Sequence, residues 1–284
     1  MATGIILISG GAPAGASPRE ICLTFDDLPV MRVHDHIERL KITDRILGIL
    51  REFKAPAAGF VIGDNIEGHY DLLTAWLKDG HVLGNHTYSH PDLNEIPPDM
   101  YIGDIEKGAA AIEEILLQHD QKKRYFRYPM LHYGNTSEAR KVVAEFLDGE
   151  NIAVAHVSID TDDFAYNLHF EKYHAAGDSA AINRLAREYI AHIMERLESA
   201  EKLAMKLVNR PVKHILLLHA NRLNAFCLQQ LLSEIQNRGY RFISLARALS
   251  DPVYSLAESY LGSKGLSYLE RVAQSDPDLL PAQE

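Results

Sequence analysis

Cysteine is scarce. Cys22 and Cys227 are the only two in 284 residues, too few for a disulfide framework. One lies in an apolar run that reads as a strand and the other in a helical pattern, so two buried free thiols are expected rather than a bridge. The count does not fix the redox compartment. Positive charge is also scarce: 29 Lys and Arg stand against 39 Asp and Glu, a formal net charge of -10. That balance excludes the basic footprint of a nucleic-acid or anionic-membrane partner. No apolar run approaches the length of a membrane span. Internal repeats, low-complexity segments and a clear interdomain linker are missing too. What remains is ordinary globular composition, 46% hydrophobic and 24% charged, in a chain long enough to bury a sizeable core.

The first eighteen residues read differently from the rest. Gly4 to Ser9 is apolar and Ala12-Pro13-Ala14-Gly15-Ala16 is rich in small residues, as in a signal peptide and its cleavage region. No Lys or Arg precedes this run, and it is short for that role. Residues 1–18 are therefore expected to be a leader or signal remnant, which favours export to the periplasm or exterior over a cytoplasmic location.

Beyond the leader, strand and helix patterns alternate. Predicted strands are Ile21–Phe25, Ala58–Ile62, His81–Gly84, Tyr125–Pro129, Ile152–Asp160, Ile215–Leu218 and Phe242-Ile243. Helical spacing runs through 41–53, through Leu72 to Leu77, from Pro98 to Leu116, over about 137–148, over 180–207 and from Leu228 to Ile235. Asp64 stands three residues before Glu67, which suggests a capping box opening the second helix. The pattern predicts an α/β fold, a distorted (β/α) barrel with about seven parallel strands and a helical insert, about 165–210, before the sixth. The barrel is expected over 19–250, with 251–284 as a tail packed on it or extending it.

The ionisable residues choose one end of these strands. Asp26 and Asp27 follow strand one, His86 and His90 strand three, Arg127 strand four, Asp163 strand five and His219 strand six. Polar groups leaving several strand ends converge at the C-terminal mouth of a barrel. Two imidazoles four residues apart can share a cation, and Pro91 argues that they sit on a loop or a single turn. With a carboxylate they form a borderline site, zinc first, with cobalt, manganese or nickel as alternatives, and leave room for water. Successive residues of a strand point opposite ways, so one aspartate could bind the metal while the other faces that water. Each signal has an ordinary counterpart: Asp-Asp pairs make turns, and histidine pairs and strand-end arginines occur without function. His34-Asp35-His36 looks like a metal motif but stands in a polar loop. His132 could touch substrate, and Tyr88, Tyr128, Tyr133 and Tyr166 could stack on sugar rings or pack loops.

Taken together and in order, five segments resemble the motifs of the polysaccharide deacetylase family, the carbohydrate esterases sharing the NodB homology domain. Thr24-Phe25-Asp26-Asp27-Leu28-Pro29 is similar to T-F-D-D-G-P, and Asn85-His86-Thr87-Tyr88-Ser89-His90-Pro91 to N-H-[ST]-x-x-H-P. Arg127-Tyr128-Pro129-Met130 resembles R-x-P-[YF], Asp160-Thr161-Asp162-Asp163-Phe164 resembles D-x-x-D-W, and Leu217-Leu218-His219 resembles the final motif. The resemblance implies Asp27, His86 and His90 as metal ligands, Asp26 as general base and His219 as general acid. It also assigns the Met130 backbone N–H, beside Tyr128 and Pro129, to the oxyanion; a carboxylate near a cation needs positioning, which Arg127 can give Asp26 by a charge-assisted pair. Asp163 is expected to pair with His219, with Asp160 as the alternative. Leu28, Met130 and Phe164 depart from the family's glycine, aromatic and tryptophan.

The implied activity is metal-dependent removal of N-acetyl groups from a chitin-like or peptidoglycan-like glycan. Two alternatives stay open: an O-acetyl esterase or small non-sugar amidohydrolase on the same centre, and a silent barrel that binds glycan. The partner implied is a glycan or a small acetylated substrate. The sequence carries no sign of oligomeric state.

Overall fold

The computed structural model describes residues 19–275. The expected leader, 1–18, and the last residues of the tail lie outside that range. Strand β1 (Arg19–Leu28) is the axis of the fold, buried almost throughout, as a central strand of a parallel sheet must be. Then follow α1 (His36–Glu52), β2 (Ala57–Val61), α2 (Tyr70–Lys78), β3 (Val82–Asn85), α3 (Pro98–Gln118) and β4 (Tyr125–Phe126). After them come α4 (Ser137–Gly149), β5 (Ala153–Val154), α5 (Asp163–Ala175), α6 (Ser179–Val208) and β6 (Lys213–His219). The chain continues through α7 (Arg222–Asn237), β7 (Tyr240–Phe242), α8 (Leu245–Leu249) and α9 (Tyr268–Ser275).

All strand pairings are parallel, in the order β5-β4-β3-β2-β1-β6. The first three residues of β1 also pair with β7, whose place β2 takes from Leu23 onward. The sheet curls until the chain beyond its edge strand reaches the other side: Ile159 bridges Leu216 of β6, and the Leu217 N–H donates to the Ile159 carbonyl at 2.9 Å. This is the curled, distorted barrel expected from the alternating pattern. Helices α5 and α6 form the insert before β6, and α6 packs on α7 and α9. No described helix is long and apolar enough to cross a membrane.

Several local expectations need correction. The fourth and fifth strands are far shorter than Tyr125–Pro129 and Ile152–Asp160. Beyond Phe126 the chain serves the mouth, and beyond Val154 only the Ile159 bridge is sheet. Asp64 opens no helix. Its N–H donates to the Tyr88 carbonyl at 2.9 Å and the Gly63 N–H to that of Thr87 at 3.1 Å, which ties this turn to the histidine loop. Helix α2 begins at Tyr70 with no side-chain cap. Cys22 and Cys227 are both buried and free, and burial pushes each thiol up to about 12.

Candidate metal centre

The two aspartates leave β1 at an irregularity. The β1–β2 register shifts between Phe25 and Leu28, and Asp27 has φ 61°, so the alternation of the strand fails there. Both carboxylates consequently line one cavity of about 780 Å³, together with His86, His90 and His219. The register of β1 against β6 sets Asp26 directly opposite His219.

His86 and His90 occupy a loop after β3, as Pro91 suggested. Its shape is held by Thr87 (φ 65°), whose hydroxyl accepts from the His90 N–H at 3.0 Å. Asp104 of α3 accepts from the Tyr88 and Ser89 N–H groups, each at 2.8 Å. Gly108 lets α3 approach: a Cβ there would lie 2.4 Å from Asn85 Oδ1 and 2.6 Å from the Thr87 carbonyl carbon. His86 Nδ1 donates to the Arg127 carbonyl at 2.8 Å, which leaves Nε2 with its lone pair facing the cavity. Burial first, then the neighbouring His90, hold His86 well below its ordinary pKa, so the ring is neutral, as a ligand must be.

Asp27 Oδ1 lies 3.6 Å from His86 Nε2 and 3.5 Å from His90 Nε2. Metal bonds of about 2.0–2.2 Å at tetrahedral angles would set ligand atoms roughly 3.3–3.5 Å apart. The same Oδ1 is buried without any hydrogen-bond partner. An orphaned carboxylate oxygen costs free energy unless a cation satisfies it. The residues therefore fit a divalent metal, and among the described residues this is the one such cluster of three ligands. His36, by contrast, pairs with His69 Nδ1 at 2.8 Å and Asp71 at 3.2 Å, so the His34-Asp35-His36 run forms no centre of its own.

Asp26 borders the triad, its Oδ2 lying 3.8 Å from His86 Nε2. Arg127, with no exposed surface, donates through Nη1 to both Asp26 oxygens at 3.2 Å. The guanidinium is fixed by the Ala155 carbonyl at 2.6 Å and the Thr24 hydroxyl at 3.2 Å, and lies over the Phe60 ring. Burial drives the Asp26 carboxyl up to about 6, against the lowering effect of Arg127 and His219; Asp27 and Asp163 add to the rise.

Across the cavity His219 Nδ1 donates to Asp163 Oδ1 at 2.6 Å, and Asp163 Oδ2 accepts from the His219 N–H at 2.7 Å and from Asn221 and Asn224. Burial alone would lower the imidazole, but the Asp163 carboxylate overrides it, with Asp27 and Asp26 assisting, and His219 rises to about 10. Asp163 itself, raised by burial but held by His219 and Asn224, ends below its usual value. Asp160, the alternative partner, lies on the cavity wall and accepts from the Asp162 N–H at 3.2 Å instead.

Met130 and Phe164 present side chains to the cavity, 43% and 44% exposed, and Phe164 stands edge-on to His219. Tyr128 does not: it is 3% exposed, stacked on Tyr133 and Tyr101. Pro129 is buried beside it. Tyr133 is buried, Tyr166 packs on Tyr189 and His192, and Lys107 covers the Tyr88 ring, so these aromatics pack loops. His132 lines the cavity, paired with Asp92 at 2.8 Å. Asp104, Gly108, Asn221 and Asn224 escaped sequence reasoning, and Thr24 figures there only as part of a motif. Only Asn221, a side-chain cap of α7, carried a local signal, its place just before a helical pattern.

Comparison with known proteins gives the arrangement a context. A family model described as polysaccharide deacetylase matches residues 14–146, a span holding the triad, Asp26 and Arg127 but not Asp163 or His219. A peptidoglycan-N-acetylglucosamine deacetylase of Bacillus cereus is 32% identical over 51% of this chain and 46% of its own length. A chitooligosaccharide deacetylase of Rhizobium leguminosarum bv. trifolii is 34% identical over 37% of this chain and 47% of its own. The chain thus spans about half the length of the curated relatives it matches. Among solved structures, a CE4 family pseudoenzyme from Bacillus anthracis shares the fold with a TM-score of 0.56 at 18% identity, covering 82% of this chain and 66% of that one. Over residues 14–146 the chain is thus similar to the polysaccharide deacetylase family, and the curled sheet that carries the rest of the motifs is the fold of the solved structure.

Proposed function

We propose that this chain is a metal-dependent hydrolase that removes N-acetyl groups from an amino-sugar glycan of the peptidoglycan or chitin type. The observation that carries the reading is the orphaned Asp27 Oδ1, within 3.6 Å of two imidazole nitrogens and beside a carboxylate fixed by a buried arginine. A bound divalent cation, zinc by the ligand set, would polarise the acyl carbonyl and lower the pKa of water in its coordination sphere.

The remaining work falls to side chains. Asp26 accepts the proton of the attacking water; its carboxyl, raised to about 6, is matched to proton transfer near neutrality. Arg127 fixes which lone pairs of Asp26 face the cavity. His219, its Nδ1 committed to Asp163, carries a proton on Nε2 to deliver to the leaving amine nitrogen. The Met130 backbone N–H is the group we assign to the developing oxyanion.

The test is metal analysis coupled to an acetate assay on chitin oligomers and peptidoglycan fragments. One equivalent of metal and acetate release that is lost in Asp26→Asn, with the melting curve unchanged, is expected. Wild-type acetate release from Asp26→Asn would remove the base assignment. A second reading keeps the centre but takes an O-acetyl ester or a small non-sugar amide. It is favoured by Met130 and Phe164, which replace ring systems on the cavity wall. Inactivity on every N-acetylated sugar with turnover of acetyl esters would select it. A silent glycan-binding barrel is disfavoured by the intact set of ligands, base and acid.

A further inference from the structure

The tail after α8 is not a passive extension. Its residue Gly265 lies on the cavity wall, and a Cβ on it would come within 2.0 Å of the Met130 carbonyl oxygen and 3.5 Å of Leu131 Cβ. No φ in the left-handed region calls for glycine at this position. Close approach to the Met130 peptide does. That peptide belongs to an unusual turn: Met130 (φ 55°, ψ 13°) and Leu131 (φ 54°) are consecutive non-glycine residues in the left-handed region. Such a backbone persists only where its surroundings over-determine it.

The tail supplies those surroundings from two sides. The Glu258 side chain, 6% exposed, is clamped between Arg140 of α4 and Arg271 of α9 in a part-buried cluster. Arg140 also donates to the Glu258 carbonyl at 2.8 Å and the Tyr260 carbonyl at 2.9 Å. Arg271 sets its guanidinium 3.5 Å over the ring of Tyr133, which stacks on Tyr128 just before the turn. The Tyr268 N–H donates to the Val157 carbonyl and its hydroxyl to that of Leu256, each at 2.6 Å. The tail is thus pinned at both ends, with Gly265 between them seated on the turn.

We propose that the segment 256–267 is a positioning element of the site, which through Gly265 fixes the Met130 peptide; the consequence for catalysis rests on the proposed role of that peptide's N–H. Glu258 and Arg271 are positioning residues, acting through the turn and touching no substrate. An oxyanion donor acts chiefly in the transition state, so loosening it lowers kcat and leaves KM nearly unchanged.

The experiment compares the wild-type chain with Gly265→Ala and Glu258→Gln by backbone hydrogen exchange over residues 128–132 and 86–90, and by steady-state kinetics on an N-acetylglucosamine oligomer. Gly265→Ala should raise exchange at 128–132 by tenfold or more without changing it at 86–90. In the same variant kcat should fall by about ten- to a hundredfold, with KM altered less than twofold. Glu258→Gln, which keeps size and a hydrogen-bonding amide, should shift both readouts the same way, less strongly, and serves if Gly265→Ala does not fold. Unchanged exchange at 128–132 in the folded variants would overturn the proposal. So would raised exchange with kcat intact in an active enzyme. Should the wild-type chain turn over no acetylated substrate, the proposed function fails, and exchange alone still decides whether the tail holds the turn.

Discussion

Asp27 and Asp163 are both largely withdrawn from water at the same mouth, and the protein treats them oppositely. Asp163 accepts from the His219 ring and backbone, from Asn221 and from Asn224. Its charge is fully compensated by the fold, and its role is to hold one imidazole. Asp27 has an oxygen buried with no donor at all, facing two imidazole nitrogens at 3.5 and 3.6 Å. A carboxylate satisfied by the chain is a positioning device, whereas one left unsatisfied awaits something the chain does not provide. The difference separates a half of the site whose carboxylate the chain itself satisfies from a candidate metal half, and it can be broken from either side.

The largest effect should come from Asp27→Asn or His86→Ala. Bound metal measured by elemental analysis should fall from about one equivalent to near zero, and acetate release to background. In the wild-type chain the unsatisfied oxygen makes the metal a stabilising ligand: at a hundredfold excess over Kd, zinc should add about 2.7 kcal/mol, seen as a higher Tm that a chelator reverses. Asp163→Asn attacks the other half. Metal content should stay near one equivalent while kcat falls by about 10²–10⁴-fold.

That variant also sharpens the pH dependence. His219 titrates near 10 in the folded chain and near 6.5 when unfolded, so its contribution to stability is complete below about 6.5 and lost as pH rises through 10. Denaturant melts of the wild-type chain should therefore lose stability across that window, and Asp163→Asn should flatten the slope. The alkaline limb of kcat should move down toward neutrality with it.

Arg127→Met leaves Asp26 buried without its cation, a loss of about 3–5 kcal/mol by denaturant titration. The smallest effect tests the support of the metal half. Gly108→Ala drives a Cβ into Asn85 and the Thr87 backbone, and should cost about 1–3 kcal/mol while weakening metal binding measurably. Unchanged metal affinity there would show that α3 does not set the geometry of the histidine loop.

The division between the halves was partly legible in the sequence. Strand ends marked the ionisable residues, because a parallel strand reads as an apolar run that stops where chemistry begins. Spacing alone could not show that Asp26 and Asp27 share one cavity, since a regular strand turns neighbours apart. The register shift at Asp27 undoes that, and only its backbone reveals it. Asp64 misled for a related reason: its fit to a capping box is local, and the competing bonds to Thr87 and Tyr88 come from a segment more than twenty residues away. The shortness of β4 and β5 has the same origin. Beyond β5 the apolar residues Ala155, Val157 and Ile159 are buried by packing and by a single bridge, not by a continued ladder. The tail's approach to Met130 left one glycine among eighteen, which no pattern singles out.

Cys22 stands on β1 four residues before Asp26, without exposed surface, and Cys227 lies nearly as deep in α7. With both thiols protonated and shielded, alkylating reagents can reach them only when the chain opens. The molecule therefore carries its own clock for breathing motions: the rate at which reagent is consumed reports how often the central strand is released, and any ion that grips the mouth should slow it.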